Sequence, residues 1–164
     1  LAEQIGDFEA HWRATRWLRL GLGYRLAQEK NKNEVWRDAR RPHVEARLKL
    51  GLGPASLAYR LRLQNKTEEK SRGEEHTLGL RHRVSFAYKI RKKIRPGLSA
   101  ELYTRFDEGL PRRVHKIRVT GSVPYKFNGR HSVKGFLRVQ VPLTQPDDPL
   151  EQITGLGYEY HIKR

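Results

Sequence analysis

Histidine is the residue type best equipped for chemistry in this sequence, and seven are present. A histidine can ligate a metal or carry a proton near neutral pH. The spacing supports neither use, because no H-E-x-x-H or other ligand pattern sets two histidines on one face. His11, His43 and His161 fall on the polar faces of separate predicted strands, where hydrogen bonding is the expected role. His82 stands apart, in an apolar row between Leu80 and Val84. No serine shares that row two positions away, since Ser85 points to the opposite face, so a nucleophile–base pair is not supported. His82 reads as a weakly polar residue turned toward lipid or a partner.

Two glycine pairs, Gly21-x-Gly23 and Gly155-x-Gly157, superficially suggest phosphate loops. Both lie within predicted strands, and no helix follows to offer an anion-binding terminus. Their expected role is to make room for arginine side chains. Basic runs at Arg37–Arg41 and Arg91–Arg95 could attract nucleic acid, but neither interleaved aromatics nor a recognisable module accompanies them. Attraction to lipid phosphates is the simpler account. The sequence therefore predicts no enzyme activity, no cofactor, no metal and no nucleic-acid partner.

The elements that position these residues are strands. From Leu78 to Ile90 every second residue is large and mostly apolar: Leu78, Leu80, His82, Val84, Phe86, Tyr88 and Ile90. Small or basic residues fill the alternate places, and a period of two marks a strand with two unlike faces. The same alternation recurs around 8–14, 18–26, 44–50, 57–63, 98–106, 117–127, 133–143 and 156–162. Nine strands result, with short turns alternating with polar loops at 28–34, 65–73, 107–113 and 144–151. This is an up-and-down antiparallel meander of about eight to ten strands. Pro42, Pro124 and Pro142 are expected at strand ends or bulges, because proline cannot donate to a ladder.

Composition sets bounds on the partner. The 164 residues are enough for one domain, taken here as residues 1–164, and 34 Lys and Arg against 18 Asp and Glu give a formal charge of +16. Such a balance favours anionic partners. Cysteine is absent, so disulfides and thiolate metal sites are excluded. No apolar run is long enough for a transmembrane helix, and no stretch reads as a signal peptide. The chain starts at Leu1 rather than Met, which suggests a processed or cropped segment.

Alternation alone fits both a soluble lipocalin-like barrel and a membrane barrel. Two features favour the membrane. Trp12, Tyr59, Phe86, Tyr88, Tyr125, Phe127, Tyr158 and Tyr160 fall on the apolar face toward the short-turn ends, with Tyr24 and Phe106 toward the other end. Such girdles form where amphipathic rings favour the headgroup level. The opposite face carries Arg47, Arg60, Arg62, Arg81, Arg83, Arg105, Arg118 and Arg138 together with Glu45, Glu101 and Glu159. These residues are expected to form a charge network that fills a narrow, positive lumen.

The segments Leu20–Arg25, Arg81–Lys89 and Ile153–Tyr160 resemble a family of uncharacterised outer-membrane β-barrels common in Bacteroidota, which carries a domain-of-unknown-function label. The resemblance covers most of the chain and implies fold and membrane rather than chemistry. It also implies about two further strands before Leu1, and the odd count of nine, against the even numbers usual in bacterial barrels, implies at least one. The ending His161-Ile162-Lys163-Arg164 departs from the aromatic terminus usual in outer-membrane strands.

The sequence thus predicts a transmembrane β-barrel of a Gram-negative outer membrane, in contact with outer-membrane lipids, lipopolysaccharide and other outer-membrane proteins. Its expected function is that of a non-enzymatic structural or accessory subunit. A narrow anion-favouring pore and a soluble lipocalin-like ligand-binding barrel are the alternatives.

Overall fold

The computed structural model describes residues 3–30, 36–70, 73–106, 113–128, 130–143 and 149–160. Among these residues there is no helix. The strands are β1 (Glu3–Arg13), β2 (Leu18–Lys30), β3 (Trp36–Leu52), β4 (Ala55–Lys70), β5 (Gly73–Tyr88), β6 (Gly97–Phe106), β7 (Arg113–Lys126), β8 (His131–Pro142) and β9 (Glu151–Tyr160). They form one antiparallel sheet in sequence order, each strand bonded to the next. Among the described residues no ladder joins β1 to β9.

The nine strands fall where alternation predicts them, but several run further. Residues 65–70 belong to β4 and Gly73 opens β5, so the charged loop expected at 65–73 is mostly strand. Residues 28–30 likewise extend β2. Polar side chains do not end a strand when a neighbour pairs with them. Gln28 donates to Asp38 across the β2–β3 ladder at 3.0 Å, and Thr67 and His76 are hydrogen-bonded at 3.0 Å between β4 and β5. The loops expected at 107–112 and 144–148, and His161, lie outside the described residues. Pro142 ends β8 as expected, and Pro124 lies two residues from the end of β7. Pro42 does not sit at an end: it lies inside β3 opposite Tyr24, where the ladder forgoes one donor.

Short turns are closed by side chains that accept from the backbone. Thr15 Oγ1 accepts from the N–H of Leu18 at 3.0 Å, and Asn128 Oδ1 accepts from those of Arg130 and His131 at 2.8 and 2.9 Å. Both are local substitutes for ladder bonds and explain why these residue types stand there. Gly53 turns β3 into β4 at a φ of 59°, a conformation that a side chain disfavours.

The chain sorts into two compact units. The first comprises Leu1–Leu48, Arg60–His82 and Tyr103–Arg113, and the second Lys49–Tyr59, Arg83–Leu102 and Val114–Arg164. Burial in both inverts the soluble pattern. Phe8 and Trp12 are 67% exposed and Leu156 83%, whereas Glu45 is 6% and Glu101 4% exposed. Among the described residues the buried apolar side chains are only Ala27, Ala39 and Tyr103. The sheet therefore hides its polar rows and presents its apolar rows.

Register explains how the exposed band is built. In the first unit, Phe8, Tyr24 and Pro42 share one level across β1–β3; Ala10, Leu22 and Val44 share the next, and Trp12, Leu20 and Ala46 the one after. The band ends where Leu26 meets Arg40 and Gln28 meets Asp38. In the second unit, Tyr125, Val133 and Tyr158 share a level near Phe127 and His131. There Tyr125 and Phe127 pack edge-on at 5.0 Å between centroids, and His131 Nδ1 lies 2.5 Å from the Tyr158 hydroxyl. Trp12, Tyr88, Tyr125, Phe127, Tyr158 and Tyr160 are all exposed, as is Phe86, whereas Tyr59 is half-buried.

Candidate functional site

The densest polar cluster in the first unit grows out of the β1–β2–β3 register. Glu9, Gly23 and His43 form one inward rung, and His11, Gly21 and Glu45 form the next. The middle strand offers glycine at both rungs. Side chains on β1 and β3, two strand spacings or roughly 9.6 Å apart, can then fold over β2 and meet. His43 Nε2 reaches Glu9 Oε1 at 3.3 Å across Gly23. His11 Nδ1 lies 3.9 Å from Glu45 Oε1 across Gly21, and His11 Nε2 lies 3.2 Å from Glu9 Oε2.

Arg62 of β4 locks the two carboxylates together. Its Nη2 donates to Glu9 Oε1 at 2.8 Å and to Glu45 Oε2 at 2.7 Å, while its Nε donates to the same Glu45 oxygen at 3.0 Å. Arg47 adds a bond to Glu45 Oε1 at 2.9 Å, and Arg60 Nη1 stands 3.9 Å from Glu45 Oε2. Burying a carboxylate is tolerable only with this degree of compensation. Charge-assisted bonds to a guanidinium are the strongest that side chains offer.

Glu9, His11 and Glu45 place ligand atoms within 4.8 Å of one another, an arrangement that a divalent cation could use by donor type. Arg62 already supplies the positive charge between the two carboxylates, and Arg47 and His11 engage their other oxygens. The cluster is an ion network complete in itself.

The glycines therefore make room for histidine and glutamate rather than for arginine. A Cβ at Gly23 would stand 2.4 Å from the His43 ring, and one at Gly21 would stand 2.7 Å from His11 Nδ1 and 2.9 Å from Glu45 Cγ. In the second unit a Cβ at Gly155 would meet the Phe136 ring at 2.5 Å. Gly157 has only ordinary contacts. Gly23→Ala is expected to cost about 1–3 kcal/mol through overpacking and to dislodge His43 from Glu9. Gly121→Ala, with open space around it, should be close to neutral. Urea denaturation midpoints of the two variants check this.

Elsewhere in the predicted charge network hydroxyl, amide and ring contacts stand beside the carboxylate pairs. In the second unit Arg118 Nη1 lies 3.7 Å from Glu101 Oε2 and bonds Gln140 Oε1 at 2.7 and 3.2 Å. Gln140 then donates to Glu151 at 2.6 Å, which makes a three-strand polar rung. Arg83 donates to the Ser99 hydroxyl at 3.1 Å rather than to a carboxylate. In the first unit Arg81 donates to the Tyr103 hydroxyl at 2.8 Å and lies 4.5 Å above that ring. Arg105 donates to Thr77 at 3.4 Å. Arg138 lies 5.3 Å from the Phe136 centroid, and Glu159 accepts from Ser132 at 3.4 Å. His82 is half-buried on β5.

Glu9, His11 and His43 as one constellation with Glu45 and Arg62 were not legible as a site from spacing. The sequence signal was the Gly21-x-Gly23 pair on β2, which stands opposite Glu9 and His43 and opposite His11 and Glu45 but not Arg62. The family model described as "Protein of unknown function (DUF2490)" matches residues 3–149. No curated protein matches the chain.

Proposed function

We propose that this chain, which belongs to the DUF2490 family of proteins of unknown function, is an integral β-barrel of a bacterial outer membrane. Its role in that reading is a non-enzymatic structural or accessory one within an outer-membrane assembly. The observation that carries the reading is the inverted burial: Leu156, Phe8 and Trp12 outward, Glu45, Arg62 and Glu101 inward. In water such a sheet forgoes about 25 cal/mol for every Å² of apolar area left wet. In a bilayer the same surface is solvated, and the polar rows must pair among themselves. A soluble lipocalin-like carrier has the opposite economy, with apolar rows inside.

Several strands exceed the roughly nine to eleven residues that span a bilayer. β3 has 17 residues and β4 and β5 have 16 each. In the second unit the aromatic ends of β5, β7 and β9 then lie at headgroup level. Lipids, lipopolysaccharide and neighbouring outer-membrane proteins are the partners that such a surface would meet.

The test is solubility and conductance. The purified chain should need detergent or lipid to stay folded and monodisperse. A folded, monodisperse chain in detergent-free buffer contradicts the membrane reading. Reconstituted in a planar bilayer, it should conduct little, because Arg62, Glu45 and Glu9 cross-link the polar rows of the first unit. Any residual current should favour anions, given the formal charge of +16. Large, stable, cation-selective channels would show that the charged rows do not close a lumen.

A further inference from the structure

One group of cations in the second unit is held by hydroxyls rather than by carboxylates. On the polar face of β5–β9 an open cavity of about 290 Å³ is walled by Arg83, Arg95 and Lys134, with Glu159 as the carboxylate in its lining. The rest of its polar wall is hydroxyl-bearing, including Ser85, Ser99, Thr120, Ser122 and Ser132. We propose that this cavity binds a small oxyanion of the phosphate type, free or carried on a sugar.

The argument rests on what the cations touch. Arg83 Nη2 donates to Ser99 Oγ at 3.1 Å, and Arg95 Nη2 donates to Ser56 Oγ at 2.6 Å. A hydroxyl orients a guanidinium without neutralising it, whereas Arg62 in the first unit meets two carboxylates. Lys134 is flanked across its ladders by Pro124 and Gly157, neither of which carries a polar side chain. Among the described residues Lys134 has no ion pair. Three cations converge on one space beside one carboxylate, and that carboxylate already accepts from Ser132. A guanidinium fork and an ammonium are the groups that recognise phosphate oxygens, and neutral hydroxyls complete such a shell. The volume is at the small end of ligand sites and fits one phosphate with a compact polar body. The site rests on the second unit alone, so it stands apart from the membrane reading.

Isothermal titration of the full chain in detergent, at fixed ionic strength, tests it with inorganic phosphate, glucose 6-phosphate and glucose. Phosphate and glucose 6-phosphate should bind saturably and glucose should not. Tighter binding of glucose 6-phosphate than of phosphate would assign the hydroxyl wall to the sugar; equal affinity would assign the site to the free anion. Lys134→Gln should weaken both about ten-fold, as should Arg83→Gln. Arg13→Gln, outside the cavity, should change nothing. Because Arg83 also holds Ser99, Lys134→Gln is the deciding variant: its side chain makes no bond among the described residues, and its fold is checked by circular dichroism. No saturable phosphate heat, unchanged affinity in folded Lys134→Gln, or equal binding of glucose would each overturn the proposal.

Discussion

Arg62→Met should destabilise the folded protein by about 3–5 kcal/mol, the usual cost of leaving one member of a buried ion pair alone. The Glu45 side chain is 2% exposed, and Arg62 gives it two of its bonds. Arg47 and Arg60 stay within reach of Glu45 and hold the loss within that range. Glu9 also loses its guanidinium partner and, among the described residues, keeps the two histidines. The double variant Arg62→Met/Glu45→Met should recover part of the loss, since it removes the two most buried charges while Glu9 still lacks its guanidinium and Arg47 its carboxylate. Urea unfolding in detergent micelles, run as a double-mutant cycle, measures the coupling. A single-variant cost below about 1 kcal/mol, the range of exposed ion pairs, would show that the network is solvated and does not cross-link the polar rows.

Leu137→Arg and Val119→Arg should each cost about 2–4 kcal/mol, the penalty for a cation on the lipid face near the bilayer midplane. Both residues are exposed and lie on the apolar rows of β8 and β7, where Leu137 pairs with Gly121 and Val119 with Val139. Ser122→Arg, on the opposite face of β7 and beside the cavity, should cost well under half as much. Its cross-strand neighbour is Phe136, whose ring tolerates a guanidinium. Folding free energies in lipid vesicles compare the three. Equal costs on both faces would reverse the assignment of lipid side and interior.

The strand count and the two faces were legible from alternation. Alternation has a period of two, and the strand backbone converts that period directly into sidedness. Leu78–Ile90, Val133–Leu143 and Phe8–Ala14 each announced an apolar row, and the structure shows the members of those rows exposed or half-buried. Turn chemistry was equally local: Thr15 and Asn128 act within three residues of themselves. Strand ends were less legible. Residues 65–70 look like a loop because charge is uninformative about a strand that runs on into solvent, and only the partner strand supplies its ladder.

Cross-strand partners, by contrast, follow from register and could not be read from alternation. Glu9, His11, His43, Glu45 and Arg62 are dispersed over more than fifty positions, and their meeting depends on register and on the two glycines of β2 that let side chains pass over it. A one-residue slip in either ladder would turn those rows outward. Arg62 and Arg83 are indistinguishable in sequence, each a basic residue in an alternating strand. One finds two carboxylates and the other a serine hydroxyl beside a cavity, because register sets the cross-strand neighbour and composition does not.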